Sequence, residues 1–176
     1  LCFTAEEAWL ARRAGAAEGD PIDGAWEGSV HLETFAATPS AWRDDALADR
    51  FETLRAIRRV VTAAIEVERA EKRIGSSLEA HPTVYMTRDQ AAVAETADFA
   101  DLCIVSQLTI STDAPPDGAF RAPERDDVAV VVGKAAGARC ARSWRVLPEV
   151  GSDPDFPDLS LRDAEAMRFL KSAGAA

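Results

Sequence analysis

The chain has 176 residues, a formal net charge of -10 and a sequence pI near 4.7. That charge excludes nucleic-acid binding by bulk electrostatics, although screening over roughly 8 Å at physiological salt leaves local patches effective. An apolar fraction of 47% and a charged fraction of 28% are those of an ordinary globular chain, and no apolar run approaches the ~20 residues of a membrane helix. The cysteines, Cys2, Cys103 and Cys140, are odd in number and far apart, which opposes a disulfide framework and points to a reducing cytoplasm. The chain opens Leu1-Cys-Phe-Thr4, without an initiator Met or a basic segment before an apolar one, and reads as part of a longer protein with no signal peptide.

In chain order, Thr4-Ala-Glu-Glu7 has the form of a capping box at the start of a helix through Ala8, Trp9 and Leu10. Gly15, Gly19 and Asp20-Pro21 end that helix. Ser29-Val-His-Leu32 alternates and is expected to be a short extended segment. His31 has no second His or Cys close by with which to hold a metal, so it is expected to be a partly exposed polar position.

The longest helix is expected from Asp44 to Arg73. Leu47, Phe51, Leu54, Ile57, Val61, Ala64 and Ile65 recur at steps of three and four, and Val60 and Val67 widen the face. Arg55, Arg59, Arg69 and Arg73 fall on one side of the helical wheel, interleaved with Glu52, Glu66 and Glu71. Two readings of that side stay open: a solvated face of helical ion pairs, or a surface for nucleic acid. Gly75 is expected as the residue that ends the helix.

Thr83 to Met86 then reads as a strand, Arg88 to Leu102 as an amphipathic helix, and Cys103 to Ile110 as a second strand with Cys103 in the core. Ser111 to Asp127, with Pro115, Pro116, Gly118 and Pro123, reads as a long connector. Val128 to Val132 is apolar enough for a central strand. This order, β-α-β-loop-β, describes a small sheet with a helix on it.

The stretch from Lys134 to Arg145 holds Lys134, Arg139, Arg142 and Arg145 with no acid among them, together with Cys140 and Trp144. Acids follow at once, from Glu149 to Glu165. Read as an extended strip, Arg142 and Trp144 point the same way. After a turn-rich loop from Gly151 to Pro157, Ser160 is placed to cap a last helix, Leu161 to Lys171, with Leu161, Ala164, Met167 or Arg168, and Leu170 on its inner side. The chain carries no Gly-rich phosphate loop, no Gly-x-Ser-x-Gly and no His pair at metal spacing. Cys140 with His31 or His81 is the one formal nucleophile–base combination, and no local signature supports it.

Three stretches together resemble a known family. Phe3-Thr-Ala-Glu-Glu-Ala-Trp9 resembles the Phe-Thr-Ala-Glu-Glu-Ile-Trp pattern of class I aminoacyl-tRNA synthetases. Arg69-Ala-Glu-Lys-Arg-Ile-Gly-Ser-Ser-Leu-Glu-Ala80 resembles the Lys-x-Ile-Gly-Ser-Ser-Leu-Glu-Ala element of the isoleucyl type. Asp101-Leu-Cys-Ile-Val-Ser-Gln107, followed by Ala135 to Trp144, is similar to the tail of bacterial-type isoleucyl-tRNA synthetases.

The resemblance covers the whole chain but only the C-terminal part of such an enzyme. It implies an α+β architecture: the end of a helical anticodon-binding bundle (1–78), a small α/β junction domain (79–133) and a zinc-knuckle-like tail (134–176). It implies that the ATP- and magnesium-dependent catalytic domain lies elsewhere, so that this segment carries no catalytic residues and no cofactor of its own. The implied partners are the anticodon arm of isoleucine tRNA and the upstream domains of the same cytoplasmic enzyme, with no membrane. Trp144 is the candidate stacking platform, with a core tryptophan as the alternative. Arg142 is its companion, Arg139 and Lys134 are candidate phosphate contacts, and Arg55, Arg59, Arg69 and Arg73 rank after them. A structural role, bracing the bundle, is the rival.

One departure is large. The family tail binds zinc through two Cys-x-x-Cys pairs. Here Cys140 stands at the first ligand position and Ser143 at the second, with Ser160 and Asp163 where the other pair belongs. Zinc is therefore expected to be absent, with packing and hydrogen bonds holding the tail.

Overall fold

The computed structural model describes residues 1–14 and 29–172. They fall into two compact units that divide between Asp44 and Asp45. In the first, helix α1 spans Cys2–Ala14, and short 3-10 turns follow at Val30–Leu32 and Ser40–Trp42. The capping-box reading of Thr4 does not hold. The Leu1 carbonyl accepts the Ala5 N–H at 2.9 Å, so the helix begins before Thr4 and leaves it inside the first turn. Glu6 serves the 29–30 segment instead, accepting from Ser29 Oγ at 2.8 Å and from the Val30 N–H at 2.9 Å. The expected extended segment around His31 is a 3-10 turn, with Ser29 accepting from the His31 N–H. His31 Nε2 donates to the Cys2 carbonyl at 3.1 Å. Gly15, Gly19, Asp20 and Pro21 lie outside the described residues.

Helix α2, Asp45–Ala70, organises the second unit. Its spacing of Leu54, Ile57, Val60, Val61, Ala64 and Ile65 buries one continuous face, and each Leu, Ile or Val in it contributes about 1.5–3 kcal/mol. The face is shorter than the apolar periodicity, since Leu47 and Val67 are exposed. Lys72, not Gly75, ends the helix. It takes a left-handed conformation (φ 58°), donating its N–H to the Arg69 carbonyl while the Arg73 N–H reaches Glu68, which is the Schellman arrangement.

Against α2 lies a mixed sheet in the order β2-β1-β4-β3. Its strands are β1 (Ala80–Tyr85), β2 (Thr109–Ser111), β3 (Phe120–Ala122) and β4 (Arg125–Lys134). β1 runs parallel to β2 and antiparallel to β4, with Val84 opposite Val130 and Ala80 opposite Lys134. Val84, Val128 and Val130 share one core with α2, Phe99 and Cys103. The packing thus groups α2 with the sheet, whereas the sequence division falls at 78 and 79. Burial pushes the Cys103 thiol up to about 12 against the opposing charge of Arg58, as expected of a core cysteine.

The predicted single helix from Arg88 to Leu102 is two, α3 (Arg88–Ala94) and α4 (Phe99–Cys103). A Thr87–Gln90 capping box starts the first, and the Asp98 carboxylate, accepting from the Asp101 N–H at 3.0 Å, starts the second. α4 closes at Ile104, left-handed at φ 57°. Cys103 therefore ends a helix and does not begin a strand, and β2 keeps only Thr109 and Ile110 of the expected strand and runs on to Ser111. The expected connector from Ser111 to Asp127 holds β3, the start of β4 and a two-residue hairpin at Pro123-Glu124, with Ala122 opposite Arg125.

In the tail, β5 (Ala138–Arg139) pairs antiparallel with β6 (Val146–Leu147), and α5 spans Leu161–Ser172. A second small core holds Cys140, Leu159 and Ala164, with Val150, Phe156 and Met167 against it. Leu161, expected on the inner side of α5, is 50% exposed because Asp163 and Ala164 face inward.

Candidate nucleic-acid interface

The strip from Lys134 to Arg145 is not extended. Lys134 ends β4, Arg139 lies in β5, and residues 141–143 turn the chain back. The Cys140 N–H donates to the Arg145 carbonyl at 2.8 Å and the Trp144 N–H to the Cys140 carbonyl at 2.9 Å, closing a tight knuckle. Gly137 (φ 112°) is required here, because a Cβ on it would sit 2.2 Å from the Leu147 carbonyl group. Trp144 is itself left-handed, at φ 64°, a conformation that costs a non-glycine residue roughly 1–3 kcal/mol. The expected same-side projection of Arg142 and Trp144 fails because alternation applies to a strand, and this is a turn.

The knuckle brings Cys140, Ser160 and Asp163 together. Cys140 Sγ donates to Asp163 Oδ2 at 3.2 Å and accepts from the Ser160 N–H at 3.3 Å. Ser160 Oγ donates to Asp163 Oδ2 at 2.8 Å and accepts the Asp163 N–H at 3.2 Å, capping α5. Burial would raise the Asp163 carboxyl, but its neighbours Ser143, Ser160, Cys140 and Arg142 favour the ionised form and hold it well below the usual carboxylate range. Burial also opposes ionisation of Cys140, yet Ser143 and the backbone amides of residues 142, 143 and 160 lower its thiol from the ordinary value. The amides converge on sulfur as they would on a metal-bound thiolate. The donor set does not fit structural zinc, however. It offers one thiol, two hydroxyls and a carboxylate engaged by Arg142, where zinc takes four thiolate, imidazole or carboxylate ligands.

The cations of the strip part company. Arg142 Nη1 lies 2.9 Å from Asp163 Oδ1, and Arg145 Nη1 lies 2.9 Å from Asp101 Oδ1. Arg145 also donates to the Ser106 carbonyl at 3.0 Å. Ser106 Oγ accepts from the Val146 N–H and donates to the Leu78 carbonyl, while Gln107 Nε2 donates to the carbonyls of Ala136 and Val146. The Asp101–Gln107 run is thus the dock for the knuckle. Lys134 and Arg139 are exposed and form no ion pair among the described residues. On α2, Arg55 and Arg59 both pair with Glu52, Arg69 pairs with Glu66, and Arg73 pairs with Glu68 and Glu71.

Trp144 is 59% exposed, with the Arg139 guanidinium 5.2 Å from the centre of its ring. Both line a pocket of about 240 Å³ with Ser76, Leu78, Glu79 and Val146. An exposed indole beside the unpaired guanidinium of Arg139, with Lys134 a second unpaired cation of the strip among the described residues, can stack an unpaired base and meet its phosphates. Sequence reasoning placed Lys134, Arg139 and Trp144 in this surface, but it passed over Ser76 and Glu79. The Ile74–Ala80 motif was the available signal, since Ala80 pairs with Lys134 across the sheet and the Ala135 N–H donates to the Glu79 carbonyl at 2.8 Å.

No family model matches the chain. It is 48% identical over 175 residues to an isoleucine–tRNA ligase of Brucella abortus, 48% over 180 residues to one of Rhodopseudomonas palustris, and 47% over 171 residues to one of Agrobacterium fabrum. These matches cover 99%, 100% and 97% of the chain, which spans 17%, 17% and 16% of the respective relatives. Among the described residues, no helix is long and apolar enough to cross a membrane.

Proposed function

The chain belongs with the isoleucine–tRNA ligases, of which it matches one segment, and on that premise we propose that it holds the anticodon arm of isoleucine tRNA. The observation that carries this is Trp144, exposed and backed by Arg139 in a chain of net charge -10. Trp144 stacks an unpaired base. Arg139 and Lys134 meet phosphates, which set affinity and salt dependence but not sequence. Arg142 acts mainly through Asp163, holding the knuckle that presents Trp144. The knuckle works without zinc, its buried carboxylate taking over the metal's tethering role. ATP-dependent joining of isoleucine to the tRNA belongs to the whole cytoplasmic enzyme and to residues outside this chain.

The test is a titration of isoleucine tRNA transcript against the chain and its Trp144→Ala and Arg142→Ala variants. Loss of affinity with Trp144→Ala supports RNA contact. Unchanged affinity in both variants supports the structural alternative, in which the tail braces the rest of the enzyme. The Arg145–Asp101 pair and the Ser106 bridge favour that alternative, since they tie knuckle and sheet into one body.

A further inference from the structure

We propose that Glu79 selects a guanine base in the pocket beside Trp144, an inference that rests on the RNA-binding reading above. The pocket, at about 240 Å³, is lined by Trp144 and Arg139, by the apolar side chains of Leu78 and Val146, and by Ser76 and Glu79. That is below the ~300–1,000 Å³ of drug-sized ligand sites and suits one planar ring system. A carboxylate in a groove for RNA repels phosphate, so its partner must be a donor, and the nucleobase edges supply one.

Glu79 is held for that task. The Gly75 N–H donates to its Oε2 at 2.9 Å, and the Glu79 N–H donates to the Ser76 carbonyl at 3.0 Å. Its side chain lies so close over Gly75 that a Cβ there would stand 3.4 Å from Oε1. It forms no ion pair among the described residues, although Arg139 lines the same pocket and Arg69, Lys72 and Arg73 line a second one that Glu79 also borders. An ionised carboxylate accepts at about four lone-pair sites, so the Gly75 bond leaves both oxygens able to accept more.

The Watson–Crick edge identifies the base. Guanine presents N1–H and an N2 amino group side by side, two donors against two carboxylate oxygens. Adenine and cytosine present one amino group next to a ring acceptor, and uracil one N–H between two carbonyls. Each of these sets a lone pair against a Glu79 oxygen. The Ile74–Ala80 motif thereby acquires a recognition role beyond its turn.

The experiment measures fluorescence anisotropy of the chain with short single-stranded RNAs identical except for one central G, A, C, U or inosine. Guanine should bind tighter than A, C or U by about 5- to 150-fold, the discrimination of one bidentate contact. Inosine, which lacks the N2 amine, should lose part of that advantage, a comparison that needs no variant. Glu79→Gln should bring the G affinity together with those of A, C and U, because an amide offers one donor and one acceptor and no longer sets an oxygen against their lone pairs. Equal binding of all five probes, or a guanine preference that survives Glu79→Gln, overturns the assignment. If that equal binding still collapses in Trp144→Ala, the RNA-binding reading stands without it; if no probe binds, both fall.

Discussion

The basic face of α2 and the basic knuckle carry the same kind of side chain in the same number, and their charges meet different ends. On α2 every arginine of the predicted row finds a glutamate within the helix or its end, such as Arg55 with Glu52 at 2.8 Å and Arg69 with Glu66 at 2.7 Å. In the knuckle the acids that pair come from far along the chain. Asp101 comes from 44 residues before Arg145, and Asp163 from 21 residues after Arg142. The fold supplies acids to two of the four cations and leaves Lys134 and Arg139 without one among the described residues. A count of basic residues therefore says little about availability. Where neutralising acids lie a helical turn away, the face is spent locally; where they must be delivered by tertiary structure, the pattern of delivery marks the surface that is left.

The largest effect should come from breaking the knuckle. Asp163→Asn removes the acceptor shared by Cys140, Ser160 and Arg142, and should destabilise the second unit by about 2–4 kcal/mol, the range for disrupting a buried charged hydrogen-bond site. Urea unfolding followed by circular dichroism measures it. The same carboxylate has a pH signature. Its folded pKa is depressed, so its contribution is complete above the ordinary value of 3.8 and is lost as pH falls through the lower folded value. The native protein should lose stability on acidification below about pH 4, and Asp163→Asn should flatten that part of the profile.

Next, Trp144→Ala should weaken binding of isoleucine tRNA by about 5- to 150-fold, the range for one stacked base, with little change in unfolding midpoint because the ring is 59% exposed. A shift in midpoint instead of affinity would place Trp144 with the bracing residues. Smaller again, Arg139→Ala should reduce the slope of log affinity against log salt by about one, as removal of one phosphate contact does. Arg55→Ala should leave that slope unchanged, since Glu52 already neutralises it, and should alter stability by no more than ~0.5 kcal/mol, as exposed pairs do. Equal slopes for the two variants would erase the contrast between the two basic regions.

Local signals were legible where local geometry decides. The three- and four-residue spacing from Leu54 to Ile65 located α2 and its buried face, Ser160 announced the cap of α5, and the apolar run at Val128 announced a central strand. Thr87-x-x-Gln90 and Asp98 were equally readable as helix starts, and together they divide 88–103 into two short helices. The periodicity of the apolar residues ran through the break and hid it. Leu47 and Val67 show the converse, fitting the period while standing outside the buried core.

The sequence by itself determined the α+β class, the long helix, the concentration of cation and tryptophan in one short stretch, and the kinship with isoleucine–tRNA ligases. These depend on residue type and on spacing within a few turns, which any homologous or periodic pattern preserves. Only the tertiary structure decided that Arg142 and Arg145 are paired, that Lys134 and Arg139 have no ion pair among the described residues, and that Glu79 and Trp144 line one pocket. Each of these is set by contacts between segments far apart in the chain, and a buried carboxylate such as Asp163 binds whichever donors the fold brings within reach. No spacing in the chain specifies that choice, because it is made when α5 closes over the knuckle.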